Sequence, residues 1–198
     1  VGLGFISQRH IDAIKDIGDE LVMTCDIDRT KVEQVPEAKF FTDYIQMSRH
    51  PLFASVDWVA VCTPNYLHFP MMMYFLKARK NVLCEKPLVI RDKDITTLSI
   101  LPKHSQLYTV LQLRHNPELQ ALKGKISDHE NYEGAMTLNL HRGGFYEGSW
   151  KGDESKSGGL LFNIGVHYFD LLIWLFGEPL DFEIYELTTR NANGQLRF

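Results

Sequence analysis

Two side chains in this 198-residue sequence stand where they could move a proton or steady a charge. Lys86 lies in Glu85-Lys86-Pro87, directly after a β-rich run, and His167 lies four residues beyond Asn163 in an apolar stretch. A lysine at a strand end, held by a proline turn with either isomer open to it, is placed to contact a cofactor or a substrate hydroxyl. Histidine titrates closest to neutrality and suits acid-base work. Each residue also has a plainer reading. A lysine ending a buried strand usually snorkels to solvent. Asn163, His167 and Asp170 fall on one helical face, where they form a satisfied structural network as readily as they line a cleft. Gly158-Gly159 before that helix and Gly165 within it admit close backbone approach, which favours a ligand.

A second constellation concerns phosphate. Gly2-Leu3-Gly4-Phe5-Ile6-Ser7 falls between a strand end and a helix start. A dinucleotide site needs a side-chain-free Gly2 for a tight turn and Gly4 for close approach of a pyrophosphate, which then rests on the helix N-terminus. Gly2, Gly4, Phe5 and Ile6 are therefore candidate cofactor contacts, with Ser7 in place of a third glycine. Asp26 ends the next β-rich run, 22 residues after Gly4, where a carboxylate binds both ribose hydroxyls of an adenosine. It favours NAD over NADP, because it repels a 2′-phosphate; Arg29 acts the other way. Asp26 as a simple strand-end turn residue is the alternative. Thr63, Pro64, Asn65 and His68 follow another strand, and Glu85 and Lys86 a further one, at the carboxyl rim where open α/β sheets bind ligands. A plain turn at Pro64-Asn65, with His68 as a helix-start polar residue, would need no ligand.

The elements that must position these residues read in two styles. Residues 1–117 alternate β-rich runs (21–26, 39–41, 57–63, 81–84, 107–113) with helical patterns (9–17, 69–79, 92–101), the signature of a doubly wound parallel sheet. Thereafter the pattern is α+β: a helix over 118–126, an alternating strand over 134–141, a Gly/Ser/Lys-rich loop over 142–159, a long apolar helix over 160–176 stopped by Gly177 and Pro179, and another strand over 181–189. The expected division is residues 1–115 and 116–198. The second part holds less than a self-contained core needs, so more chain is expected beyond what is seen.

Composition excludes several classes. The 21 Lys+Arg and 25 Asp+Glu give a net charge of -4 with no basic stripe, which excludes nucleic acid as a partner. No metal is expected, since no C-x-x-C, H-x-H or H-E-x-x-H spacing occurs. Cys25, Cys62 and Cys84 are odd in number and sit in apolar runs, which suits buried thiols in the cytoplasm. The helix over 160–176 carries Asn163, His167 and Asp170, so a packed helix is expected rather than a membrane span.

In order along the chain, the glycine turn, Asp26, Cys62-Thr63-Pro64-Asn65, Glu85-Lys86-Pro87, Arg114-His115-Asn116-Pro117 and the Gly158–Asp170 run resemble the glucose-fructose oxidoreductase / inositol dehydrogenase family. Within it, residues 108–114 and 149–159 are most similar to the UDP-N-acetyl-2-amino-2-deoxyglucuronate dehydrogenases of O-antigen sugar synthesis. The resemblance implies an N-terminal Rossmann domain and a C-terminal α+β domain with an open antiparallel sheet, incomplete in this chain. It also implies NAD, oxidation of a nucleotide-sugar 3″-hydroxyl, and a homo-oligomer, dimer or tetramer. Lys86 and His167 become the catalytic candidates, with the choice of base open between them. Arg114, Lys151, Lys156, Ser157, Asn163 and His167 become candidate substrate contacts, the Lys151–Ser157 loop being otherwise a solvated one. Many relatives carry Asp where this chain has Asn163; an amide cannot act as a base but still orients a hydroxyl. A free-sugar or cyclitol dehydrogenase and a non-catalytic NAD-dependent sensor are the rival readings.

Overall fold

A computed structural model describes residues 1–100, 105–126, 136–137, 144–188 and 191–198. The chain divides into two compact units, Val1–Val110 and Leu111–Phe198.

In the first unit, the elements run α1 (Ser7–Asp16), β1 (Met23–Cys25), β2 (Lys39–Phe41), α2 (Tyr44–Arg49), β3 (Trp58–Val61), α3 (Asn65–Lys77), β4 (Asn81–Cys84), α4 (Asp92–Ser99) and β5 (Leu107–Thr109). All the pairings are parallel: β1 with β2, and β4 between β3 and β5. The first residues stitch the two ladders together. Val1 N–H donates to Ala60 O at 2.7 Å, Cys62 N–H to Val1 O at 2.8 Å, and Gly2 N–H to Cys25 O at 2.8 Å. The extended segment at Val1 thus fills the place between β1 and β3, completing a doubly wound order.

Strands buried on both faces read as near-continuous apolar runs, and Val61, Val82 and Cys84 are fully buried. Met72 and Phe75 of α3 pack on them with no exposed surface. Helix α1 buries Ile11 against Leu3, Val35 and Ala38 and ends at Asp16, with Ile17 just beyond it exposed. Helix α3 begins four residues earlier than the sequence suggests. Pro70 is the reason: proline sits best in a first turn, yet here it lies inside the helix. The last strand stops at Thr109 rather than continuing to Leu113, because residues Gln112–His115 wind into a 3₁₀ turn. All three cysteines are buried free thiols; burial pushes Cys25 up to about 11 and raises Cys84 as well.

The second unit begins with α5 (Pro117–Lys123), capped by Asn116, whose Oδ1 accepts from Glu118 N–H and Leu119 N–H, with Pro117 in the first turn. It continues with α6 (Gly144–Glu147), α7 (Glu154–Ser157), a π-helical turn Leu161–Gly165, α8 (Val166–Phe176), and the antiparallel hairpin β6 (Asp181–Leu187) with β7 (Ala192–Arg197). The strand expected over 134–141 lies outside the described residues except at Met136 and Thr137, which are not in a strand. By length and composition Glu154–Phe176 could cross a membrane. Its buried Asn163 and its Asp170 both have protein partners.

Candidate active site

The first unit carries the phosphate-binding half. Gly2 has φ +83°, and a Cβ there would sit 2.8 Å from Cys62 C and Thr63 N, so only glycine lets the turn pass this close to the end of β3. Gly4 differs: a Cβ there would meet nothing within 4 Å. Protein packing does not require glycine at that position, whereas close approach of a ligand would. Helix α1 has no side-chain cap at its N-terminus, and Phe5 is almost wholly exposed. An anion suits such an end. The Asp26 carboxylate accepts from Leu3 N–H at 2.6 Å and Asp28 N–H at 2.8 Å, which fixes it at the rim beside the glycine turn with lone pairs to spare for ribose hydroxyls. These features fit NAD.

The Glu85-Lys86-Pro87 turn follows β4 and has a cis Lys86–Pro87 bond. Glu85 Oε1 lies 2.8 Å from His10 Nε2, with both side chains nearly buried. Hydrogen bonds to Cys62 and Glu85 push His10 up to about 10. Burial raises the Glu85 pKa, but the His10 hydrogen bond and charge outweigh it, and the net shift is downward. Glu85, expected to meet the cofactor, has its carboxylate joined to α1 through His10.

His68, expected at the cofactor, is 1% exposed, with ring nitrogens 2.7 Å from Pro87 O and 2.7 Å from Thr63 O. It ties the two rim loops together from inside. Burial outweighs both carbonyls and lowers its pKa. Asn65 opens α3 and is buried, and Thr63 Oγ1 donates to Met71 Sδ at 3.6 Å.

In the second unit, Asn163 sits in the middle of the π turn and His167 in the first turn of α8. A π turn winds more slowly than an α-helix, so these two depart from plain α-helical register; such turns recur at functional sites. Asn163 is buried, and its Nδ2 donates to Tyr146 Oη at 3.2 Å. Arg114, expected to face substrate, pairs with Asp170: its Nε donates to Oδ2 at 2.9 Å, and a second guanidinium nitrogen donates to Oδ1. This paired geometry anchors α8 to the segment after β5. In the loop, Ser157 is 1% exposed and its Oγ accepts from Gly159 N–H at 3.1 Å, so it braces the turn rather than reaching outward. Lys156 pairs with Asp153 at 3.0 Å, and Lys151 lies over the Trp150 ring. Among the described residues no cluster could hold a metal ion.

Sequence reasoning missed His10 and Tyr146. A histidine in the first turn of the glycine helix was the available signal for His10. Nothing local marked Tyr146.

Residues 1–111 match the oxidoreductase family, NAD-binding Rossmann fold, and residues 124–196 match the same family's C-terminal alpha/beta domain. Among solved structures, the WlbA (WbpB) dehydrogenase from Thermus thermophilus in complex with NAD and UDP-GlcNAcA is 40% identical with TM-score 0.81, over 94% of this chain and 64% of that one. The WlbA dehydrogenase from Bordetella pertussis, in complex with NADH and UDP-GlcNAcA, is 28% identical with TM-score 0.81, over 93% of this chain and 60% of that one. A myo-inositol 2-dehydrogenase from Thermotoga maritima is 25% identical over 91% of this chain and 55% of its own length. The chain spans about half the length of the curated relatives it matches.

Proposed function

The chain belongs to the Gfo/Idh/MocA oxidoreductase family, and from that premise we propose that it serves an NAD-dependent dehydrogenase that oxidises the 3″-hydroxyl of a UDP-N-acetylglucosamine uronate-type sugar. The observation that carries this reading is the Glu85-Lys86-Pro87 turn held on the same sheet rim as Gly4 and Asp26. NAD, when bound, supplies the hydride acceptor. Gly4, the α1 N-terminus and Asp26 hold it, with Thr63 and Asn65 beside them. Lys86 hydrogen-bonds the reacting hydroxyl and stabilises negative charge on its oxygen. His167 accepts the proton from that oxygen, and Asn163, steadied by Tyr146, orients the hydroxyl. Lys151 and Lys156 offer charge to an anionic sugar nucleotide. A cytoplasmic homo-oligomer, a dimer or tetramer working in lipopolysaccharide O-antigen sugar synthesis, belongs to the same reading.

The inositol dehydrogenases among the relatives favour a second reading, oxidation of a free cyclitol. Following NADH absorbance with UDP-GlcNAcA, myo-inositol and free hexoses in parallel separates the two. Turnover of the nucleotide sugar alone is expected. Turnover of myo-inositol without the nucleotide sugar would overturn the first reading.

A further inference from the structure

The proton chemistry above makes no use of His10, yet the structure joins it to the residue next to Lys86. His10 lies in the first turn of α1, and its ring meets Glu85 Oε1 at 2.8 Å across 75 residues of sequence. The other carboxylate oxygen accepts from Lys86 N–H at 3.4 Å. Glu85 N–H donates to Val61 O at 2.9 Å, so the residue is fixed at its main chain as well as at both carboxylate oxygens. On the far side of Lys86, Pro87 O meets His68. Lys86 therefore sits between two residues, each tied to a histidine from a different helix.

A carboxylate this enclosed demands a cation or strong donors; losing one partner of such a pair leaves an uncompensated charge. The groups facing His10 are Glu85 and the Cys62 thiol, and both favour the charged ring. The pair spans from the helix that receives pyrophosphate to the turn that presents Lys86. We infer that His10 is a positioning residue: through Glu85 it sets the Lys86 turn in register with the cofactor-binding helix α1. The role of Lys86 in this inference rests on the proposed function above.

The test uses the intact protein with His10→Asn, His10→Arg and Glu85→Gln. His10→Asn is expected to lower kcat with UDP-GlcNAcA by about 10- to 100-fold, the scale of a small misplacement of a reacting group, while NAD affinity changes little. The pH profile of kcat shifts with it. His10→Arg, which keeps the cation, recovers part of the loss. Glu85→Gln gives the same loss, and the double variant loses no more than either single one, because both act through one contact. Should His10→Asn fail to fold, Glu85→Gln, which keeps the side-chain volume, supplies the readout. An unchanged kcat, or a kcat that falls only in step with NAD affinity, overturns the inference. A wild-type protein that binds NAD without oxidising the sugar sinks the substrate reading instead. The Lys86 amide resonance then decides: displacement alike in His10→Asn and Glu85→Gln supports positioning, and an unmoved signal overturns it.

Discussion

At His167, in the first turn of α8, the assignment as base makes a sharp demand. Replacement with Asn should lower kcat by about 10²- to 10⁴-fold, the usual worth of a positioned base, and flatten the acid limb of the pH profile. NAD binding, measured by titration, should be unaffected. An unchanged turnover and profile would remove His167 from the role and leave Lys86. The His10–Glu85 pair makes a demand on stability. His10 moves from an ordinary 6.5 to about 10 on folding, so its contribution is complete below pH 6.5 and drains away as pH rises through about 10. Glu85 moves down from an ordinary 4.5, so its contribution holds above that value and is lost as pH falls through the folded one. In urea unfolding, the stability difference between wild type and His10→Asn should be largest at about pH 5 to 6 and should shrink steadily toward pH 10. A difference that grows with pH would contradict the pairing.

Among the elements, the glycine turn separates structural need from ligand need within three residues. Gly2→Ala forces a side chain into φ +83° and against the main chain of Cys62 and Thr63 at 2.8 Å. It should cost about 1–3 kcal/mol or more in urea unfolding, since backbone cannot give way as a flexible side chain does. Gly4→Ala meets nothing within 4 Å. Its stability should stay near wild type while NAD affinity falls. Equal stability loss in both variants would show that Gly4 answers to packing rather than to a ligand. Local sequence showed these elements well where the signal is local: apolar runs for β3 and β4, and the helical pattern after Pro117 for α5. It misjudged them where one residue carried two meanings, as Pro70 did within α3. The π turn at Leu161–Gly165 was not legible either, because an apolar stretch of this kind suits α and π winding alike.

For the whole molecule, the net charge of -4 repels an anionic cofactor and an anionic sugar nucleotide. Attraction must therefore come from local features such as the α1 N-terminus. Binding should show in thermal unfolding. At a concentration of about 100 times Kd, NADH should stabilise the NAD-binding unit by about 2.7 kcal/mol, with NADPH weaker because of Asp26. The reverse order would overturn the preference for NAD. By itself, the sequence determined the alternation of strands and helices, the glycine turn with Asp26, and the Glu-Lys-Pro turn at a strand end. All of these follow from neighbours along the chain, whose periodicity and turn chemistry act over a few residues. Tertiary structure alone decided which polar groups were already taken: His10 by Glu85, Arg114 by Asp170 at a separation of 56 residues, and His68 by the carbonyls of Thr63 and Pro87. A buried polar group must find its partner wherever the fold brings one. Residue type announces the need for a partner, and only topology supplies it.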